Sequence, residues 1–529
     1  MMHTRFFRRS VTVAAAAALV LGLAACSGGT GGSGDATAAT ESDGVLTIAL
    51  YGDPRDLDTA NCVPAVFCNV AYDTLVRLSP KDGSIEPGLA TSWEWVDDAH
   101  TTLRLTLRDD AKFNDGTPLT GEAAAASFTS YLTAPGPFAA LSYPIASAAA
   151  ASENQVDIVF SEPVTERYAL YSLTGQNSVG YVVSPAAAAD RTLIADKTDG
   201  IGPYKLDPAQ TQKGVRYVYV PNPEYYAQDA IAYKEVVLQP MLDPAARLNA
   251  VRSGQVDWAS NIAPSDQSTA EQAGLQISKG VYGAFSALAL QGRDSGPLAD
   301  IRVRQALAYA MPRDDIASTF YGPYATATSS MVPEGAEGYA EDDKDRYATD
   351  VDKAKELLAE AGYADGLTLE VFDPAFFDAG GVVGQAIASA YAEIGVTVTL
   401  VPFDGNPGEV ALQSGKYDAM VINNGGNGIS AGIYTMFRPG GGLVNPRQVP
   451  LDEELTAALR AAAQATDPDE QAQLAVAATE RLDELVYAVP IAQVPTVQGV
   501  VAGVKNVPAE FSSITSNPFS PVVDEAWRD

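Results

Sequence analysis

The amino-acid sequence predicts a mixed α/β fold with more than one lobe. The chain has 529 residues, which is too long for a single compact core. Short apolar runs typical of strands alternate with segments that carry helix-capping residues. This alternation favours open sheets with helices packed on them.

The predicted elements can be placed in chain order. Strands are predicted at seven runs: Leu46–Leu50, Leu103–Leu107, Val215–Val220, Val236–Gln239, Leu367–Phe372, Val396–Val401 and Ala419–Ile422. Helices are predicted to start at three aspartates, which suit the N-cap position: Asp243, Asp350 and Asp467. The first two are expected to end at Gly254 and Gly362. The alanine-rich runs Ala148–Ala151 and Ala186–Ala189 are interpreted as compositional bias.

The N-terminus has the pattern of a bacterial export signal. Three arginines precede an apolar stretch from Val11 to Ala25, which is shorter than the about 18–20 residues of a membrane-spanning helix. Leu-Ala-Ala-Cys at 23–26 resembles a lipobox, in which the cysteine is diacylated and becomes the mature N-terminus. We therefore predict a lipoprotein signal peptide at 1–25 and lipidation of Cys26; an ordinary signal peptide with a chance cysteine is the alternative.

A flexible tether is predicted over residues 26–43. The segment is rich in Gly, Ser, Thr and Ala, and such a chain has a typical reach of about 20–25 Å. The globular part is therefore expected to be lipid-anchored at the outer face of the cytoplasmic membrane of a bacterium.

The charge of the chain restricts its partners. The formal net charge is −32, and loss of the arginines in the signal peptide makes it more negative. Such a surface repels nucleic acid and anionic lipid, and it favours neutral or cationic ligands. We expect no nucleic-acid partner and a monomeric protein.

Cysteine usage agrees with export. Cys62 and Cys68 are the only cysteines besides Cys26, and in an oxidising compartment so close a pair favours a disulfide. A zinc site is the alternative, but zinc needs further ligands, and His100 is the only histidine left after processing. No metal and no cofactor are expected.

A series of motifs runs in order through residues 45 to 510. The motifs are Tyr72–Leu78, Glu86–Glu94, Leu107–Thr120, Gly200–Leu206, Asn222–Tyr226, Ala246–Asp257, Ile301–Ala310, Ala354–Tyr363 and Gly415–Ala419. Their joint order resembles the signature of family 5 extracytoplasmic solute-binding proteins, the peptide and nickel-chelate receptors of ABC importers. Each block alone is a weak signal.

The resemblance implies an α/β, two-lobed periplasmic-binding-protein type II-like fold with an additional inserted subdomain. On that pattern lobe I comprises 44–75, 195–285 and 490–529, the subdomain 76–194, and lobe II 286–489. The ligand binds in the cleft and favours the closed arrangement of the lobes, which docks on ABC permease subunits. No chemistry on the ligand is required, so no enzyme activity is expected.

The identity of the ligand stays open. Peptide receptors of this kind often carry an acidic residue soon after the strand that corresponds to 419–422, where it receives the α-amino group of the peptide. Here Asn423, Asn424 and Asn427 follow, among glycines, and the usual tryptophan and acid are missing. Asparagine cannot neutralise an ammonium group. A peptide-like ligand, an oligosaccharide and a metal chelate all remain candidates.

Further ligand-binding candidates follow from position in the chain. Tyr282 and Phe285 precede the predicted crossover between lobes, where aromatic faces could stack on a ligand; core packing is the alternative. The others follow the first strand or lie in the inserted subdomain: Tyr51, Asp53, Asn177 and Ser178. A local turn or a lobe contact is the alternative for each.

Two functions of a different class are also weighed. A serine hydrolase needs a general base, but His100 is the only mature histidine, and residues 175–180 do not match G-x-S-x-G. Paired carboxylates for glycoside cleavage stay possible, because acids are abundant. A sensory lipoprotein would use the same cleft, and the sequence alone does not separate it from an importer.

Overall fold

The fold is taken from a computed structural model. The structure describes residues 44–54, 56–62, 66–79, 84–134, 144–175, 179–280, 284–332, 334–341, 345–375, 381–403, 410, 413–425, 436–437, 444–465, 467–504 and 507–511. Within these ranges no helix combines the length and the apolar character needed to cross a bilayer.

Strands and helices alternate along the chain. The strands are β1 Val45–Leu50, β2 Val76–Leu78, β3 Ile85–Pro87, β4 Ala90–Trp95, β5 Thr102–Leu107, β6 Ile145–Ser152, β7 Gln155–Phe160, β8 Tyr204–Leu206, β9 Tyr217–Pro221, β10 Glu235–Pro240, β11 Trp258–Ala259, β12 Gln276–Gly280, β13 Ala284–Leu290, β14 Thr326–Ala327, β15 Leu367–Pro374, β16 Val396–Phe403, β17 Ala419–Gly425, β18 Ala488–Val494, β19 Val497–Val500 and β20 Glu510–Phe511. The α-helices are α1 Val66–Asn69, α2 Gly121–Leu132, α3 Glu166–Ser172, α4 Pro185–Ala189, α5 Pro244–Arg252, α6 Gln267–Gln272, α7 Ile301–Tyr309, α8 Arg313–Phe320, α9 Val351–Glu360, α10 Val382–Ala392, α11 Glu453–Gln464 and α12 Pro468–Leu485. Each predicted strand and helix overlaps an observed one.

The three predicted helix caps are present. The side chains of Asp243, Asp350 and Asp467 accept hydrogen bonds from backbone N–H groups in the first turns of α5, α9 and α12. Each carboxylate satisfies an N–H that has no partner within its helix.

An eight-stranded sheet forms the centre of the first lobe. Its strand order is β20-β12-β19-β11-β1-β10-β9-β8, and β1 runs parallel to both β10 and β11. Apolar residues from the segment that contains α1 pack on one face of the sheet, and α5 and α6 pack on the other. The carboxyl ends of the three parallel strands therefore share one edge.

A six-stranded sheet forms the centre of the second lobe. Its order is β14-β18-β13-β17-β15-β16, with β15 parallel to β16 and β17. Helices α7 to α10 cover one face, and α11 and α12 cover the other. Again the carboxyl ends of the parallel strands share an edge.

Two neighbouring connections join these sheets. Strand β12 leads into β13, and β18 leads into β19; the N–H of Gly280 donates to the carbonyl oxygen of Thr496 at 3.0 Å, beside both crossovers. Two short, adjacent crossovers are the arrangement that a hinge between lobes needs. The two-lobed fold is thus confirmed, whereas the exact domain boundaries stay a prediction.

A separate four-stranded sheet, β4-β5-β7-β6, packs against α2. Its strand β6 contains Ala148–Ala151, and Ala186–Ala189 lie in α4. Both runs therefore lie in regular elements, which their interpretation as compositional bias did not predict. Alanine favours helices when isolated, so it is the pairing with β7 that makes β6 a strand.

A buried ion pair ties the start of β2 to the segment after β9. Arg77 donates to Asp73 from Nε and Nη2, at 3.0 and 2.6 Å. The hydroxyl of Tyr226 also donates to Asp73, at 2.6 Å, and Arg108 lies over the Tyr226 ring at 3.3 Å. This network connects elements that are about 150 residues apart in the chain.

Cys62 and Cys68 form a disulfide, with their Cα atoms 6.4 Å apart. Both side chains are buried in the core of the first lobe. The bridge closes a short loop just before and within α1, on the face of the sheet opposite α5.

Candidate functional site

The candidate site is the cleft between the two sheet edges that meet at the crossovers. In the first lobe this edge is formed by the carboxyl ends of β1, β10 and β11, together with the end of β12 and the start of β19. In the second lobe it is formed by the carboxyl ends of β15, β16 and β17, with the start of β13. Ligands of α/β proteins bind at such edges, because side chains and loop N–H groups converge there.

Arg247 holds two loops at the edge of the first lobe. Its guanidinium donates to the carbonyl oxygens of Met241 and Leu242, after β10, and of Ser260 and Asn261, after β11, at 2.7–2.9 Å. Burial lowers the pKa of Arg247 to about 10. The signal in the sequence was an arginine on the apolar face of a predicted helix, but the sequence did not reveal its carbonyl partners.

Tyr51 and Asp53 lie where β1 ends, at the predicted edge. Tyr51 is half-buried and lies near enough to Arg247 to oppose the lowering of the Arg247 pKa by burial. Asp53 is exposed, and its Oδ1 accepts a hydrogen bond from the hydroxyl of Tyr217 at 2.8 Å. Both remain candidates on position.

In the second lobe two predicted candidates, Asn423 and Phe285, fall on opposite faces of the sheet. Asn423 is paired with Ser286, and Asn424 is paired through its backbone with Phe285. Paired residues of antiparallel strands share a face, and successive residues alternate. Ser286 bonds to the hydroxyl of Tyr321 at 2.6 Å, so Asn423 lies on the face that carries α7 to α10.

Phe285 is a core residue. Its side chain is only 2% exposed and packs in the cluster that joins the sheet to α11 and α12. The expectation of an aromatic face open to a ligand is therefore corrected to core packing, the alternative, because the strand register turns the ring into the lobe. Tyr282, Asn177, Ser178, Asn427 and Cys26 lie outside the described residues.

Two polar contacts reach the second lobe, one from the inserted subdomain and one from the first lobe. Arg167 of α3 lies 3.0 Å from Glu337 of the second lobe, and the hydroxyl of Tyr324 donates to Glu271, which follows β11 in the first lobe. Burial raises the pKa of Glu337, and the charge of Arg167 opposes that shift. Burial and the bond to Glu271 also raise the pKa of Tyr324, to about 12.

The chemistry of a hydrolase or a metal centre gains no support from this geometry. His100 stacks on the Trp95 ring at 4.8 Å in the turn between β4 and β5, away from the sheet edges. Among the described residues, no group of three or more His, Cys, Asp or Glu side chains is placed to hold a metal ion.

Comparison with known proteins identifies the family. Residues 84–441 match the sequence model described as bacterial extracellular solute-binding proteins, family 5 Middle. The chain belongs to this family. The probable D,D-dipeptide-binding periplasmic protein DdpA of Escherichia coli is 30% identical to this family 5 protein over 310 residues. That alignment spans 56% of this chain and 58% of the length of DdpA.

Solved structures of similar fold cover more of the chain. The PBP AgaA of A. tumefaciens R10, in complex with agropinic acid, has a TM-score of 0.76 and 25% identity, and the match covers 90% of this chain and 97% of AgaA. DppA of Helicobacter pylori, in complex with the peptide STSA, has a TM-score of 0.75, 20% identity and the same coverage. This family 5 protein therefore has the fold of these binding proteins over nearly all of its length.

Proposed function

We propose that this family 5 protein is a membrane-tethered substrate-binding protein of an ABC importer. It captures a small solute between its two lobes and delivers it to permease subunits in the membrane. The observation that carries the proposal is the pair of adjacent crossovers at β12–β13 and β18–β19, which lets two sheet edges close on a ligand.

A binding function needs differential affinity and no catalytic group. A ligand that contacts both edges binds the closed form better than the open form, and so it shifts the population toward the closed form. The Tyr324–Glu271 contact already bridges the lobes. A permease that recognises the closed form would then receive loaded protein.

The ligand is proposed to be peptide-like, with an oligosaccharide or a metal chelate as the alternatives. Names of relatives include dipeptide, oligopeptide, heme and nickel binding, and the structural neighbours hold a peptide or agropinic acid. The acid that peptide receptors resembling this one often carry soon after this strand is missing, and asparagines take its place in the sequence. This favours either a neutral ligand or an ammonium partner elsewhere.

Lipid anchoring is the part of this proposal that rests on sequence. Cys26 is expected to carry the lipid, and Cys26→Ala is expected to leave the precursor unlipidated and its signal peptide uncleaved. Radiolabelled palmitate incorporation in a bacterial host measures this directly. Equal labelling of wild type and Cys26→Ala would contradict the anchor.

The binding function is tested with the processed protein from residue 27 onward. Native mass spectrometry identifies any carried ligand, and a thermal-shift panel offers tripeptides, oligosaccharides and nickel–histidine complexes. A ligand at a hundred times its Kd adds about 2.7 kcal/mol to the free energy of unfolding, so a true ligand raises the Tm by several degrees. No bound mass and no shift in any class would contradict the proposal; uptake by a deletion strain then separates import from sensing.

A further inference from the structure

Three polar side chains form a continuous row at the edge of the first lobe. Ser278 of β12 is the direct partner of Gln498 of β19. The indole N–H of Trp258 in β11 donates to Oε1 of Gln498 at 3.3 Å. Ser260 directly follows β11, and its N–H donates to the carbonyl oxygen of Ala49 in β1 at 2.9 Å, which extends the pairing by one residue. Ser260 is two residues after Trp258, so it is expected to face the same side of the sheet.

The row adjoins the hinge. Ser278 lies two residues before the end of β12, and Gln498 is the second residue of β19. Strand β12 leads into one crossover and β19 follows the other, and Ser260 directly follows the carboxyl end of β11. Residues from three neighbouring strands thus meet at the sheet edge beside the hinge.

The row is buried but not satisfied. Ser260 is 1% exposed, and Ser278 and Gln498 are 0% exposed. Nevertheless Oγ of both serines and Nε2 of Gln498 have no hydrogen-bond partner in the described part of the chain. Buried polar groups are almost always hydrogen-bonded, because leaving one unpaired costs free energy. Three neighbouring exceptions at one edge point to a partner from outside the chain.

The chemistry of the row selects that partner. The Trp258 N–H occupies Oε1 of Gln498, so the amide presents its N–H₂ group as a donor, and the serine hydroxyls can donate as well. No charged side chain belongs to the row, and the neighbouring Lys279 alternates to the other face, where it pairs with Glu510 at 3.3 Å. The guanidinium of Arg247 contacts the carbonyl oxygen of Ser260, but four carbonyl groups already accept its hydrogen bonds. An ionised group would therefore be buried here without a free counter-ion.

We propose that Ser260, Ser278 and Gln498 form a subsite that binds an uncharged acceptor oxygen of the ligand, either a carbonyl or a hydroxyl oxygen. This inference rests on the proposed binding function and deepens it. It places a neutral part of the ligand against the first lobe, whatever charge the rest of the ligand carries. A peptide would present a backbone carbonyl, and an oligosaccharide would present a hydroxyl.

The test measures affinity by calorimetry on the processed protein, with Ala-Ala-Ala in one arm and maltotriose in the other. Ser278→Ala and Ser260→Ala are each expected to weaken binding about five-fold, as for a lost hydrogen bond. Gln498→Glu keeps the acceptor for Trp258 but replaces the N–H₂ donor by a second carboxylate oxygen, which would face the acceptor oxygen of the ligand. It is therefore expected to weaken binding more than ten-fold.

The apo protein supplies a second readout. Because its hydroxyl has no partner, Ser278→Ala should leave the Tm of the unliganded protein unchanged or raised. Ser253→Ala, whose hydroxyl bonds to the carbonyl of Ala250 at 3.0 Å far from the edge, is the control and should leave affinity unchanged.

The outcomes separate the two proposals. Variants of the row that bind the wild-type ligand with unchanged affinity would overturn the subsite and leave the binding function standing. A wild-type protein that binds only a nickel–histidine complex would overturn the ligand class assigned to the row. If the peptide binds and the sugar does not, the acceptor oxygen is a peptide carbonyl. If only the sugar binds, the acceptor oxygen is a hydroxyl.

Discussion

Nε of Arg167 lies 3.0 Å from Oε2 of Glu337, and this pair joins α3 to the second lobe across the cleft. Arg167 precedes β8, and Glu337 follows β14, so the contact spans units that the chain connects only through the first lobe. Tyr324 and Glu271 make a second bridge beside the crossovers. Polar contacts thus join the second lobe to the rest of the chain at two separate places.

Glu337→Gln is expected to shift the unliganded protein toward the open form. The carboxylate is 17% exposed but Arg167 is 52% exposed, so the pair contributes at most about 1 kcal/mol. Ligand Kd should rise by no more than about five-fold, and the radius of gyration from small-angle X-ray scattering should increase. Glu356→Gln, which breaks the exposed pair with Lys353 inside α9, is the control. Unchanged scattering and affinity would remove this pair from the closure.

Arg247→Lys is expected to weaken ligand binding and lower the Tm. Lysine keeps the charge but cannot reach the loops after β10 and β11 together, since it lacks the planar fork of donors. Carbonyl groups left unpaired cost about 2 kcal/mol. Arg252→Lys, at the exposed end of the same helix, is the matched control. Calorimetry and differential scanning fluorimetry measure both effects; equal behaviour of the two variants would contradict the role of Arg247.

Asp73→Asn is expected to destabilise the fold in a pH-dependent way. Burial by itself would raise the pKa of Asp73, but the charge of Arg77 and hydrogen bonds from Arg77, Tyr226 and the Thr74 N–H leave it below the ordinary 3.8. A carboxyl with a lowered pKa stabilises the fold fully above its ordinary pKa, and that stability is lost as pH falls through the folded value.

The expected loss in Asp73→Asn is about 3 kcal/mol near pH 7, because breaking a buried pair leaves Arg77 uncompensated. The difference in the free energy of unfolding between wild type and Asp73→Asn should become smaller below about pH 4. Urea unfolding at several pH values measures this difference. A difference that stays constant from neutral to acid pH would show that the ion pair is not its source.

Removal of the disulfide is expected to lower the stability of the first lobe. A loop this short contributes about 2 kcal/mol on the chain-entropy estimate, so the Cys62→Ser/Cys68→Ser double variant should melt at a lower temperature. A reducing agent should lower the Tm of wild type and leave that of the double variant unchanged. Equal Tm values for wild type and the double variant would contradict a stabilising contribution of the disulfide.

Local sequence signals predicted local structure well. Asp243, Asp350 and Asp467 cap helices as expected, because an N-cap needs only the next three residues of the chain. The short apolar runs are strands as expected, because each run carries β-favouring residues over its own length. The alanine-rich β6 was missed, because its strand conformation depends on pairing with β7 and not on its own propensity.

The site was predicted less well, since register decides which way a side chain points. Asn423 and Phe285 were both expected at the ligand, yet the register of β13 and β17 puts them on opposite faces of the sheet. Phe285 faces the core for that reason. The candidates Tyr51 and Asp53 reached the expected edge, because each follows a strand directly.

By itself the sequence determined the family, the alternation of helices and strands, the helix caps and the export signal pattern, all of which are carried by neighbouring residues or by motif order. Only the tertiary structure decided that Ser260, Ser278 and Gln498 form one row, and that Arg167 meets Glu337. Those relationships join residues far apart in the chain. They depend on strand order, register and the packing of separate units, which no local pattern encodes.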